Sequence, residues 1–177
     1  MVSIRLLLKP LVAEDAQQIQ KLYPRREIVR YMVASVPWPY PENGAENYVN
    51  NVALPDMAKG IAWFWTIRKR EIPDKVMGLI CFYDEEDNNR GFWLAPEYQG
   101  QGFMREASIA ATDYCFNVLN KPVMRASKAA VNSRSQRISV SSGMRLIKTV
   151  KKEYVSGLLD SELWEITRDE WNARRVQ

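Results

Sequence analysis

Trp93-Leu94-Ala95-Pro96-Glu97-Tyr98-Gln99-Gly100-Gln101-Gly102-Phe103-Met104-Arg105-Glu106-Ala107 is the stretch whose reading decides the fold. It ends a buried strand, turns through two glycines and opens a helix. Pro96 offers no ladder donor, and Gly100 and Gly102 tolerate positive φ, so the strand stops there. From Phe103 onward the apolar spacing becomes helical, with Ala107, Ala110, Ala111, Tyr114 and Val118 on one face. Such a junction presents free backbone N–H groups and the positive end of a helix dipole, which suits an anion and most naturally a phosphate. Taken alone, Gly-x-Gly is more often a plain turn.

Outward from this junction the chain alternates short apolar runs with helical patterns. Towards the N-terminus, Ile61–Ile67, Val76–Tyr83 and Gly91–Leu94 read as three strands, the second apolar enough to be covered on both faces. The charged runs Arg68-Lys69-Arg70-Glu71 and Asp84-Glu85-Glu86-Asp87-Asn88-Asn89 between them read as solvated turns. Further back, Ile4–Lys9 reads as an opening strand and Ala13–Tyr23, Arg26–Met32 and Glu42–Leu54 as helices, the last ended by Pro55. Val36-Pro37-Trp38-Pro39-Tyr40-Pro41 fits no regular element, and its two rings either cap the core or line a ligand mouth.

Towards the C-terminus, the junction helix runs to about Asn120, and Val123–Ser127 is a strand. A short helix follows, with Asn132 or a nearby serine as N-cap and Gly143 as C-terminal glycine. Met144–Val155 and Glu162–Thr167 form a closing hairpin turning at Ser156-Gly157. The fold class is α/β of the α+β kind: a mixed, largely antiparallel sheet of six to seven strands with helices on both faces. Residues 1–177 are expected to form one domain.

Composition excludes several functions. The chain is 46% hydrophobic and 26% charged with a net charge of +4, ordinary for a globular protein. It has no histidine, which removes histidine triads and the usual zinc sites; no metal is expected, and proton transfer falls to carboxylates, hydroxyls, Lys, Cys or water. Cys81 and Cys115 lie in apolar segments and read as buried free thiols. The apolar runs are too short to span a membrane and the start lacks signal-peptide anatomy, so the cytoplasm is the expected compartment. The scattered basic residues argue against nucleic acid, and the oligomeric state, with a homodimer possible, is not legible.

The element order, with Gln99-x-x-Gly102-x-Met104 at the junction, resembles the GNAT superfamily of acyl-CoA-dependent N-acetyltransferases over nearly the whole chain. Arg5-Leu6-Leu7-Leu8-Lys9-Pro10-Leu11-x-x-Glu14-Asp15 is similar to the start of its RimJ/RimL-type branch, which acetylates ribosomal-protein N-termini. Asn132-x-x-Ser135, followed by Gly143-Met144 where the branch usually has Gly-Phe, resembles the same branch. Met104 departs from the small residue of the general signature, and Ser142 stands where a larger apolar residue is usual; neither removes a backbone N–H.

The resemblance implies a sheet splayed at its middle with acetyl-CoA in the cleft. It implies that amides of Gln99, Gly100, Gln101, Gly102, Phe103 and Met104 hold the pyrophosphate. The strand end at Trp93 and Leu94 pairs with pantetheine, and Asn132 and Ser135 contact the arm and sulfur; read without the resemblance, Asn132 and Ser135 are helix caps. The N–H near Leu94 stabilises the thioester oxygen. Ser135 or a nearby tyrosine protonates the leaving thiolate. Glu153 matches a glutamate of the ribosomal branch with a one-residue gap and is the expected base, although Lys151-Lys152-Glu153 also reads as the solvent face of a hairpin. Trp38 and Tyr40 are the expected acceptor wall.

An α-amine is roughly a tenth neutral at pH 7 and a lysine less than about one part in a thousand, which favours a protein or peptide N-terminus as acceptor. A small amine and a non-catalytic acyl-CoA-binding module are the alternatives.

Overall fold

The computed structural model describes residues 1–175. Seven strands form two antiparallel sheets. The first has the order β1 (Leu6–Pro10), β2 (Ala62–Lys69), β3 (Ile72–Tyr83), β4 (Arg90–Leu94); the second has β5 (Val123–Ala129), β7 (Gly157–Thr167), β6 (Arg145–Tyr154). Strand β4 meets β5 only at its start. There the Asn89 N–H donates to the Arg125 carbonyl (2.9 Å), and the Asn89 and Asn88 side-chain oxygens accept from the N–H groups of Arg125 (2.8 Å) and Ser127 (3.1 Å). Beyond this stitch the sheets part. The loop read as a solvated turn is therefore the seam between the two halves.

Alternation along the strands divides the core. Leu94, Ile80, Phe82 and Trp65 face helix α5 (Phe103–Asn117), while Trp93, Leu79, Cys81 and Phe64 face the N-terminal helices. Helix α5 buries Phe103, Ala107, Ala111, Cys115 and Phe116, but the expected stripe position Val118 is 61% exposed because the helix has ended. On the other face lie α1 (Ala16–Leu22), α2 (Arg26–Val29), α3 (Gly44–Tyr48) and α4 (Leu54–Lys59).

Pro55 does not end the helix before it. A wide π-type turn over Val49–Ala53 joins α3 to α4 and leaves room for the proline ring, so helix continues to Gly60, whose φ of 70° caps it. Helix α6 (Ser133–Ser141) follows β5 and ends at Gly143, φ 78°. The sequence reading missed α7 (Arg168–Arg175), which sets buried Trp171 against Phe116.

Arg68, read as part of a solvated turn, lies inside β2 at 3% exposure and is ion-paired with buried Asp15. Both cysteines are buried free thiols, and burial pushes each up to about 11. Among the described residues no helix is long and apolar enough to cross a membrane, and no cluster of His, Cys, Asp or Glu could hold a metal.

Candidate active site

Where β4 and β5 part, a cavity of about 990 Å³ opens between the sheets. Its central backbone group follows from register. Leu94 lies opposite Gly78, and the Ala95 N–H donates to the Met77 carbonyl at 2.9 Å. Antiparallel partners alternate between bonded and non-bonded pairs, so the N–H groups of Phe92 and Leu94 face away from β3, toward the gap that β5 leaves. The Gln99 side chain donates to the Leu94 carbonyl at 2.7 Å and holds that peptide in place. Gly78 makes the approach of β3 possible: a Cβ there would sit 2.3 Å from the Trp93 carbonyl oxygen.

The turn after β4 is the expected anion cradle. A short 3₁₀ turn over Pro96–Tyr98 leads into Gly100 and Gly102, with φ of 76° and 80°. Nothing lies within 4 Å of a Cβ placed on Gly100, so this glycine serves the backbone conformation and keeps the surface open. Gly102 is the N-cap of α5 and has no side chain to satisfy the helix. The first helical bond runs from the Glu106 N–H to the Gly102 carbonyl, leaving the earlier N–H groups without intrahelical partners.

Glu106, the acid of that first turn, is taken up by Arg5 and Ser3, each at 2.7 Å. Arg105, Arg134 and Arg137 line the cavity near the turn, and Arg134 donates to the Gln99 side-chain oxygen. Of the expected cradle, Gln99, Gly100, Gly102, Phe103 and Met104 line the cavity. Gln101 does not: its side chain turns back to the Glu97 carbonyl at 2.9 Å.

Asn132 and Ser135 line the cavity at the start of α6. The Asn132 oxygen accepts from the Ser135 N–H at 3.2 Å, so the capping role is present. The cap spends only the amide oxygen and a backbone N–H, leaving the Asn132 amide nitrogen and the Ser135 hydroxyl for a ligand.

On the opposite face of the sheet the cavity becomes an aromatic vestibule. Tyr23 meets Tyr40 and Trp93 edge-on at 5.2 and 5.3 Å, and the Tyr48 and Tyr83 hydroxyls lie 3.1 Å apart. Burial raises the pKa of Tyr23, Tyr40 and Tyr83, which removes these phenols as bases near neutral pH. Tyr40 lines the vestibule, whereas Trp38 lies outside it, 41% exposed beneath the Arg26 guanidinium.

Glu153 is also outside. Leu146 pairs with Trp164 but Lys148 with Leu163, so a bulge at this point reverses the facing of β6. Lys152 and Tyr154 then line the cavity, and Glu153 alternates to the other face, exposed. The carboxylates on the cavity wall are those of Glu27 and Glu85.

The sequence reading missed the tyrosines of the vestibule, which come from separate elements and carry no joint motif. It also missed two buried cations of the wall, Arg90 and Lys128, at 3% and 5% exposure. Their signal was present: Arg90 opens the otherwise apolar β4, and Lys128 falls in alternation with Met124 and Ala126 on the buried face of β5.

Residues 5–145 match the family model described as an acetyltransferase (GNAT) domain. The chain is 27% identical over 176 residues to the uncharacterized N-acetyltransferase YnaD of Bacillus subtilis, covering 95% of this chain and 96% of that one. Its fold is similar to that of ribosomal-protein-S5-alanine acetyltransferase from Vibrio fischeri, with a TM-score of 0.81, 17% identity and 97% of each chain covered. It is also similar to spermidine N-acetyltransferase from Vibrio cholerae, solved with CoA and spermine, with a TM-score of 0.79, 19% identity, and 95% and 98% covered.

Proposed function

We propose that this chain, which belongs to the GNAT acetyltransferase family and uses acetyl-CoA, acts as one domain that acetylates the α-amine of a protein or peptide N-terminus. The carrying observation is the Leu94 N–H, turned away from β3 beside a helix N-terminus with unpartnered amides. Acetyl-CoA, when bound, supplies the activated acyl carbon. The amides from Gly102 to Met104, with Arg105 and Arg134 nearby, would hold its phosphates. Asn132 and Ser135 would hold the arm. The Leu94 N–H is preorganised to receive the charge that develops on the thioester oxygen, an arrangement worth several kcal/mol, on the order of 3–4. The Ser135 hydroxyl, on the cavity wall, would give a proton to the departing sulfur.

The base is where the reading changes. With Glu153 turned away and the buried tyrosines raised, neither the expected base nor these phenols serves as a base near neutral pH, and among the described residues the carboxylates lining the cavity are those of Glu27 and Glu85. That arrangement suits an amine already partly neutral, whose proton leaves through water. An α-amine meets this condition about a hundredfold better than a lysine side chain. A small amine is the second reading, favoured by the close tyrosine walls.

The test is release of free thiol from acetyl-CoA across a panel of N-terminal peptides and small amines. Peptides are expected to give the higher kcat/KM, with a rate that rises as the α-amine deprotonates. Turnover confined to small amines would reject the N-terminal reading and leave the transferase.

A further inference from the structure

Arg90 and Lys128 stand on the face of the sheet shared with α5 and α6, the face that carries the phosphate cradle. Along β4, Arg90 alternates with Gly91 and Trp93 and so shares its face with Phe92 and Leu94; along β5, Lys128 follows Met124 and Ala126. Both line the cavity. Neither touches a carboxylate among the described residues. Lys128 Nζ donates to the Ser139 hydroxyl at 2.6 Å and sits 5.4 Å from the Trp164 ring. Arg90 Nη2 reaches the Met144 sulfur at 3.4 Å, while its Nε and Nη1, both buried, have no partner.

Glu162, the acid nearest Lys128 in effect, is hydrogen-bonded to Gln136 and Trp164 instead. Two cations thus share one buried wall, with two guanidinium donors left unmet. Burial and the neighbouring Arg90 hold the Lys128 ammonium down to about 7. Both cations have only uncharged partners, Lys128 the Ser139 hydroxyl and the Trp164 ring, Arg90 the Met144 sulfur and the Phe92 ring, and a carboxylate would meet the remaining guanidinium donors through charge-assisted bonds.

We propose that Arg90 and Lys128 form an acyl-end subsite for a carboxylate, so that the donor site takes thioesters whose acyl chain ends in a carboxyl group, of the succinyl or glutaryl kind, besides acetyl. The inference rests on the reading of Leu94 and the Gln99–Met104 turn as the donor site. The carboxylate belongs to the donor because the cations share the cradle's face, whereas the vestibule on the other face is lined by tyrosines. Arg90 lies four residues before Leu94 on one strand, roughly 13 Å away. A short dicarboxylic chain and the arginine side chain together cover that distance. In the transfer the amine nitrogen bonds the acyl carbon and the carbon–sulfur bond breaks. The amine loses one proton, the sulfur gains one, and the carboxylate leaves with the amide product.

Calorimetric titration of the full chain with succinyl-CoA, butyryl-CoA and acetyl-CoA tests this without turnover. Succinyl-CoA is expected to bind roughly tenfold or more tightly than butyryl-CoA, which has the length without the charge. In Arg90→Met and in Lys128→Met the ratio of succinyl-CoA to acetyl-CoA affinity should collapse, and Arg90→Lys should restore part of it.

Equal binding of succinyl-CoA and butyryl-CoA by the unaltered protein would overturn the proposal, whatever the variants do. So would equal losses for all three thioesters, which would make the cations structural or assign them to the departing sulfur. So would a preference for carboxylated acceptors, with succinyl-CoA no better than butyryl-CoA. If no CoA thioester binds, the donor-site reading itself falls.

Discussion

Gly100 and Gly102 share a left-handed backbone but differ in their surroundings. Gly100 faces open space, so Gly100→Ala meets mainly the conformational penalty, on the order of 1–2 kcal/mol, and should weaken CoA binding modestly. Gly102→Asp adds strain and a negative charge at the helix N-terminus, and titration with acetyl-CoA should show binding lost in a folded protein. Normal binding by that variant would falsify the cradle assignment. Asp15 and Arg68 make a different kind of pair. Asp15→Ala strands a guanidinium that is 3% exposed, a loss of about 3–5 kcal/mol that urea unfolding would measure. The glycines were legible because a tight turn between strand and helix calls for residues that tolerate positive φ. The ion pair was not, because Arg68 and Asp15 are joined across β2 and the start of α1 and neither segment names the other.

Among the elements, the segment around Tyr40 yields the sharpest contrast. The sequence put Trp38 and Tyr40 in one acceptor wall; the structure sends their rings to different places. Tyr40→Ala should raise the acceptor KM several-fold with little change in acetyl-CoA affinity, and Trp38→Ala should change neither, as steady-state kinetics with varied acceptor would show. Equal effects would mean that Trp38 joins the wall after all.

Strand β6 makes the complementary case. Its place in a hairpin turning at Ser156-Gly157 was readable, but its facing was not. The one-residue bulge between Leu146 and Lys148 reverses every side chain beyond it, and that reversal carries Glu153 out of the cavity. Glu153→Gln should therefore leave kcat within about a factor of two, far short of the 10²–10⁴-fold expected of a lost general base.

At the scale of the molecule, two sheets are joined at one end by Asn88 and Asn89 and open at the other. A ligand held by β4, α5 and α6 together braces the open end. Acetyl-CoA at a hundred times its Kd should stabilise the fold by about 2.7 kcal/mol in thermal melts. Hydrogen exchange should slow at the start of α5, the start of α6 and the end of β4. Lys128 adds a pH signature.

Its folded pKa, near 7, lies below the unfolded value of 10.5, so between these limits the unfolded chain binds the extra proton. Stability from this group therefore rises with pH from about 7 to 10.5, and the penalty of burying the charge is complete below 7. Lys128→Met should flatten that rise relative to the parent protein, with Arg90 and Glu162 as the charges facing the site in both. Parallel stability curves for the two proteins would contradict the assignment.

The sequence by itself determined the strand–turn–helix junction, most of the strands, the capped start of α6 and the resemblance that pointed to acetyl-CoA. These depend on short-range rules: proline and glycine dihedrals, apolar periodicity, and caps three residues away from what they cap. Only the tertiary structure decided that the Leu94 N–H faces the gap, which side of β6 Glu153 takes, and that Arg90 and Lys128 share one wall. Those depend on register, a single bulge and contacts between distant segments, and no local pattern carries them. The Trp93–Ala107 junction is thus readable as a strand, turn and helix from its residues and as a phosphate turn through the resemblance, whereas its opposite wall exists only once the two sheets have met.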